Sequence, residues 1–416
     1  MRDVYVVGTS CTAFGKRPGD SFRDLAREAY LDAIGDAAID GSEIEQAWFG
    51  NCGMGAWGQA SIRGQVAFTP LVREGLFPER VPMINVEGGC ATASMAFHGA
   101  FKDIASGEAE LSLAIGVEKT HSDDKTLTQA IFDGGIDQMN PEEWHEYYAR
   151  RGEEAGKPFD AKAGGGTIFM DTYAMQAAWH MKRWGTTQAQ IAAGASKNHH
   201  HGSLNPKAQY RFEVSVEQAL ADREISYPLT RSMCAPIGDG AAAALLCSAD
   251  WLAGQPEAVR DRAVKVRASV LTGGKYRDPS EPGLSRLAGE KAFRRAWLGR
   301  GDVDVVEVHD ATSFCEIYQL EMLGFAEDGQ GGPLVASGET ALGGRMPVNL
   351  SGGLVSKGHP VGATGLSMIH ELALQLRGEA GARQAQGARI GLAENGGGVI
   401  GFDEAACSVI ILEGRG

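Results

Sequence analysis

At 416 residues the chain is long enough for two or three cores of about 150 residues each, and its 43% apolar and 22% charged content is that of a soluble globular protein. A formal net charge of −14 leaves no basic field for a polyanion and excludes nucleic acid or an anionic membrane as the main partner. Seven cysteines, Cys11, Cys52, Cys90, Cys234, Cys247, Cys315 and Cys407, are scattered without a CxxC pair, which predicts free thiols in a reducing compartment, the cytoplasm.

The first residues carry an early acid, Asp3, and only a short apolar run, unlike a secretory signal, so Val4–Val7 reads as a buried strand. No window approaches the ~20 apolar residues that cross a bilayer. Phe22, Leu25, Ala29, Ala33, Ile34 and Ala37 recur at helical spacing up to the turn residues Asp40-Gly41-Ser42. Ala47–Gly50 and Met83–Val86 are short apolar runs, a helix opens at Cys90, and Leu111–Val117 is a further strand. Strand and helix alternate, which predicts a layered α/β domain with a largely buried sheet.

From His121 to Met233 the character changes. Asp123–Gly166 is polar and rich in Gly and Glu, a surface excursion with one short helix opened by Asn140 and Pro141, and loops of this length act as lids, binding loops or docking sites. Tyr173, Ala177, His180, Met181 and Trp184 then recur helically, and Thr186-Thr187-Gln188 caps the next helix. Gly164-Gly165-Gly166-Thr167 and Gly8-Thr9-Ser10 lack the GxxxxGK[ST] pattern of a phosphate loop.

The early pattern returns late. Val264–Val270 and Val303–Val308 read as strands, Pro347–Leu350 leads into a glycine turn, a helix runs through Gln375, and Ile390–Ala393 and Ser408–Leu412 close the chain as strands. Asn85…Gly88-Gly89-Cys90 parallels Asn349…Gly352-Gly353, so an internal duplication is inferred. The chain then divides into a first half over 1–120, a loop or lid domain over 121–233, a return to the first half over 234–260, and a second half over 261–416.

Four positions could carry chemistry. Cys90 stands where a strand gives way to a helix, and the helix's N-terminal amides and dipole are expected to lower its pKa, as for a nucleophile; a small buried thiol beside two glycines is the alternative. His359, set among five glycines between Gly352 and Gly365, could serve as its base, or could be a capping residue. His309-Asp310 lies past a strand's carboxyl end, where open α/β sheets place ligands, and His309 could donate to an oxyanion or cap a turn. In Glu394-Asn395-Gly396-Gly397-Gly398 the glycine amides could approach an oxyanion and Glu394 could carry a proton, unless the segment is a plain hairpin turn. His199-His200-His201 is not read as a metal site, since three adjacent side chains cannot converge on one ion, and no metal is expected elsewhere.

At these residues the chain resembles the thiolase superfamily, in its sterol-carrier-protein-thiolase-like branch, from Val4 to Leu412. The most specific element is Gly353-Leu354-Val355-Ser356-Lys357-Gly358-His359-Pro360-Val361-Gly362-Ala363-Thr364-Gly365; Lys197, Asn205-Pro206-Lys207 and Ala208-Gln209-Tyr210-Arg211 also resemble this branch. The resemblance implies a thiolase fold of two βαβαβαββ halves in five αβαβα layers with an inserted loop domain, a homodimer, and coenzyme A as co-substrate with no permanently bound cofactor. It implies that Cys90 is acylated, that His359 activates it, that His309 helps bind the thioester oxygen, that the amides of Cys90 and Gly396 form a second oxyanion hole, and that Ser356, Lys357 and Gly358 contact coenzyme A or substrate.

Two departures bear on mechanism. Most thiolases place a second, acid/base cysteine where Glu394 stands here, and the related branch can supply one two residues after the histidine of its His-Asp motif, which here is Ala311. Cys315 is displaced from that position by more than a turn, so Glu394 or a water is expected to shuttle the proton. The resemblance, with the inserted segment and the longer Gly401–Cys407 ending, implies a modified pocket for branched or aromatic acyl groups, in a β-oxidation-like step of aromatic acyl-CoA degradation such as 2-benzoylsuccinyl-CoA cleavage, with a small zinc-ribbon/OB-fold partner subunit. Two other outcomes stay open: a thiolase-like aldolase for side-chain acyl-CoA, against which Cys90 counts, and a non-catalytic acyl-CoA-binding subunit, against which the aligned Cys90, His309 and His359 count.

Overall fold

The computed structural model describes residues 2–159 and 167–415, so the Gly164–Gly166 run and the last part of the Asp123–Gly166 excursion lie outside the described residues. The strands are β1 (Val4–Cys11), β2 (Gln46–Gly50), β3 (Met83–Val86), β4 (Leu111–Glu118), β5 (Glu224–Ser226), β6 (Leu229–Thr230), β7 (Gly240–Ser248), β8 (Val264–Gly273), β9 (Val305–Glu307), β10 (Ile390–Ile400) and β11 (Asp403–Glu413). β5 and β6 form a separate hairpin, and the other nine pair in the order β3-β2-β4-β7-β1-β8-β11-β10-β9.

The duplication read from two glycine turns is built into this order. Outward from β1, the pairings with β7 and then β4 are antiparallel, and those with β2 and then β3 are parallel. Outward from β8, the pairings with β11 and then β10 are antiparallel, that with β9 is parallel, and β9 bridges Val348 in parallel. Pro347–Leu350 therefore takes the place of β3 but is reduced to one bridge. The repeats meet at a short antiparallel seam, Tyr5 opposite Lys265 and Val6 opposite Val264.

Five layers follow from the two-residue alternation of strands buried on both faces. Along β7, Ala241, Ala243, Leu245 and Cys247 face an outer cluster with Leu25, Ala29 and Tyr30, while Ala242, Ala244 and Leu246 face an inner cluster with Ala93, Ala96 and Phe97. The outer helix Phe22–Ala37 is opened by a capping box between Ser21 and Asp24 and buries the apolar positions that its spacing predicts, except Phe22, which is half-buried. The helices Thr92–Ser106 and Thr364–Arg377 pack on each other between the two half-sheets, and Leu284–Ala296 and Ser313–Met322 cover the far side.

The excursion after β4 is more ordered than its composition predicts. Two helices, Lys125–Asp133 and Pro141–Ala155, are anchored by aromatic side chains that face inward. Tyr147 and Tyr148 are buried against Phe402, and their hydroxyls donate to the carbonyls of Arg277 at 2.7 Å and Gly401 at 2.9 Å. The long chain ending is thus the counter-surface of this segment.

One close approach fixes how the repeats dock. A methyl group at Gly116 of β4 would overlap the carbonyl of Gly362 and press on Ala363 and Ala93, so only glycine lets the His359 loop rest on the first half-sheet. Gly116→Ala should therefore keep its far-UV circular dichroism yet slow iodoacetamide alkylation of Cys90 on the order of 100-fold, the cost of misplacing a reacting group by about 1 Å. Wild-type alkylation rates would show that the loop absorbs the methyl.

Candidate active site

Cys90 occupies the turn between β3 and the Thr92–Ser106 helix, behind Gly89 at φ +57°. The turn is closed by Ala91 N–H donating to Gly88 O at 3.2 Å and by Gly88 N–H donating to Thr92 Oγ1 at 2.8 Å. Gly397 of β10 lies directly against it, since a methyl there would overlap the Ala91 amide and the Gly88 carbonyl. This contact brings the Gly398 amide to the Cys90 sulfur beside the residue's own amide.

The expected low thiol pKa is overturned. Burial pushes Cys90 up to about 12, outweighing the two amides that favour the thiolate, with Glu118 adding to the rise. Its partner is displaced in the opposite sense: burial, then the neighbouring His309 and Lys357, holds His359 well below the ordinary histidine range. The resting pair is therefore a neutral thiol and a neutral imidazole.

The hydrogen bonds fix which nitrogen of His359 keeps its free lone pair. Cys90 Sγ lies 3.0 Å from His359 Nε2, and His359 Nδ1 lies 2.6 Å from Thr364 Oγ1. The Thr364 hydroxyl donates to Pro360 O at 3.0 Å, so its oxygen accepts from Nδ1–H and leaves the Nε2 lone pair facing the Cys90 S–H. The loop is held by Asp310, which accepts from Leu354 N–H at 2.6 Å and from Asn198 Nδ2 at 2.8 Å, and by Asn349 at φ +56°.

His309 follows β9 with its ring centroid 5.3 Å from that of His359. Its Nε2 is buried without a partner among the described residues, and burial lowers its pKa to about 4, so it is a neutral ring able to donate to a substrate oxygen. One ligand-type atom each from Cys90, His309 and His359 lie within 4.8 Å of one another. These are donor types that zinc accepts, but the Cys90–His359 hydrogen bond already engages two of them with each other.

Other expected site residues are placed elsewhere. Glu394–Gly398 is not a turn but the middle of β10. Glu394 is fully buried and does not line the cavity; it accepts from Ser285 Oγ at 3.0 Å, His309 N–H at 3.1 Å and Cys407 Sγ at 3.4 Å. Burial, reinforced by Glu404, pushes it up to about 8, which favours a protonated carboxyl group beneath His309, outside the cavity lining. Gly396 faces the Glu404 side chain, and the amide at Cys90 is that of Gly398, because the strand continues past Ala393 to Ile400.

Ser356, Lys357 and Gly358 are buried behind the His359 loop. Ser356 Oγ donates to Tyr210 O at 2.9 Å, Lys357 faces Glu307 at 3.7 Å, and Gly358 packs on Gln209 and Phe14, so none reaches the cavity. The three adjacent histidines diverge: His199 stacks on Tyr210 and Phe212, His200 pairs with Glu213, and His201 bridges Asn349 O and Leu342 N. Cys315 is buried against Thr312 and lies outside the cavity lining.

Cys90 and His359 open into a cavity of about 440 Å³ walled by Ile131, Phe132, Phe169, Met170 and Tyr173, with Ala311 and Gly398 at the reactive end. The walls come from the excursion and the helix Ile168–Trp184 that follows it. Sequence reasoning missed Thr364, Gly398 and this lining. Thr364 stood in view five residues after His359, whereas Tyr173 was read only as one of a helical row of apolar residues.

Comparison with known proteins identifies the family. The thiolase N-terminal domain model matches residues 4–225, and the thiolase C-terminal domain-like model matches 276–412. An acetyl-CoA acetyltransferase of Methanothermobacter thermautotrophicus is 38% identical, covering 96% of this chain and 98% of that protein. Sterol carrier protein 2 of Rattus norvegicus is 34% identical over 97% of this chain and 73% of its own length, and benzoylsuccinyl-CoA thiolase subunit BbsB of Thauera aromatica is 29% identical over 91% and 90%. The solved Ltp2-ChsH2(DUF35) aldolase superposes with a TM-score of 0.79 at 22% identity, covering 99% of this chain and 98% of that one, which shows a shared fold. The chain belongs to the thiolase superfamily, in its sterol-carrier-protein-thiolase branch, and is an acyltransferase.

Proposed function

We propose that this coenzyme A-dependent thiolase cleaves 3-oxoacyl-CoA esters with a branched or aromatic acyl group through an acyl-enzyme on Cys90. The observation that carries the reading is the 3.0 Å Cys90–His359 contact, with the base's tautomer locked by Thr364, at the floor of an apolar cavity. His359 Nε2 takes the thiol proton as sulfur attacks the 3-keto carbon, so the thiolate exists only during attack. The amides of Cys90 and Gly398 receive the oxyanion formed there, and His309 and the newly protonated His359 receive the thioester oxygen of the departing enolate. Coenzyme A then accepts the acyl group.

Phe132, Phe169 and Ile131 give the cavity flat and branched apolar walls, which favour a bulky acyl group over a linear chain. The relative named for benzoylsuccinyl-CoA supports 2-benzoylsuccinyl-CoA as the finer reading. The half-exposed edge strand β3, immediately before Cys90, favours a homodimer. The Ltp2-ChsH2(DUF35) neighbour supports a small second subunit, and the need for a reduced Cys90 supports a cytoplasmic setting.

Intact-protein mass after mixing with acetoacetyl-CoA or an aryl 3-oxoacyl-CoA should show an acyl adduct on wild type and none on Cys90→Ala. Cleavage that survives in Cys90→Ala would replace this reading with aldol cleavage, and silence in both proteins would favour a non-catalytic subunit. Glu394→Gln should keep the adduct, because the carboxyl group does not reach the cavity. A buried acid raised to about 8 stabilises the fold below its unfolded pKa and loses that contribution as pH rises through 8. Wild type should therefore lose more melting temperature than Glu394→Gln between pH 5 and pH 8.5; parallel curves would show that Glu394 is not held protonated.

A further inference from the structure

The cleavage leaves a carbanion that needs a proton, and the groups expected to supply it do not reach it. Glu394 is committed beneath His309, Cys315 is turned toward Thr312, and Ala311 at the reactive end of the cavity has no proton to give. His359 already holds the proton taken from Cys90. Resting on the thiolase reading above, we propose that the phenol of Tyr173 is the second acid/base of this enzyme.

Tyr173 belongs to the helix Ile168–Trp184 and lines the cavity with Cys90, His359 and Ala311. Its hydroxyl takes no hydrogen bond from the described residues, although the neighbouring Tyr148 hydroxyl is engaged by Thr172 and Gly401. Tyr173 is 8% exposed and shares the cavity wall with Cys90 and with Ala311, the position at which the related branch can supply a thiol. Burial holds its pKa well above the ordinary tyrosine value, so it enters the reaction protonated.

The steps balance. When the bond between the α-carbon and the 3-keto carbon breaks, its electron pair passes to the α-carbon, which takes the phenolic proton and leaves as a shortened acyl-CoA. Coenzyme A enters as a thiol and gives its proton to the phenolate. The resulting thiolate attacks the acyl group on Cys90, and the Cys90 sulfur departs and recovers the proton held on His359. Phenol, thiol and imidazole all return to their starting states.

Tyr173→Phe keeps the ring and removes only the oxygen. Alkylation of Cys90 by iodoacetamide needs the Cys90–His359 pair alone and should stay within about twofold of wild type. Thiolysis of acetoacetyl-CoA, and deuterium exchange into the methyl group of acetyl-CoA in heavy water, should both fall on the order of 100-fold or more, the range of a lost general acid. Exchange and thiolysis near wild-type rates would overturn the proposal, as would a matching loss of alkylation, which would mark Tyr173 as a packing residue. A wild-type protein with neither a Cys90 adduct nor exchange would instead remove the thiolase reading on which the proposal rests.

Discussion

The structure depends on the removal of water from a thiol and an imidazole that belong to different repeats. Each repeat supplies one reactive side chain on a turn after its parallel strands, and the two turns meet 3.0 Å apart only because glycines line the approach. Gly116 admits the histidine loop to the first half-sheet and Gly397 admits β10 to the cysteine turn. Desolvation then decides the chemistry. It raises the Cys90 thiol and lowers both histidines, which favours the neutral form of all three groups.

Polar groups behind the site hold this arrangement without joining it. Asp310 and Asn349 fix the histidine loop, Glu394 supports the backbone of His309, and Ser94 donates to Asn395 at 2.8 Å, tying the helix that follows Cys90 to β10. Glu394 is instructive, because its place in the sequence matches a catalytic position while its carboxyl group faces Ser285, Cys407 and a backbone amide. A sequence position aligns a Cα; it does not show which side of a strand the side chain takes.

Much of the fold was legible because its strands are apolar on both faces and its turns are marked by glycine. Cys90, His359 and His309 were legible as candidates because each stands at a glycine-rich turn or just past a strand, and the family resemblance singled them out among the alternatives. The remainder depended on register and on packing across the excursion. The extension of β10 to Ile400 moved the relevant amide from Gly396 to Gly398. The inward set of Tyr147 and Tyr148 depends on contact with Phe402, more than 250 residues away. The resemblance assigned Ser356 and Lys357 to the ligand, yet both are buried, Ser356 bonded to Tyr210 O and Lys357 facing Glu307.

The neutral resting thiol has a further consequence, for chemical ageing. Peroxide attacks thiolates, and the conversion of cysteine to sulfenic acid follows thiolate character and exposure. All seven cysteines are free, and burial raises every one of them above the ordinary thiol range, Cys90 included. Buried neutral thiols offer oxidants little thiolate to attack. The same burial that disfavours the Cys90 thiolate shields its sulfur from peroxide.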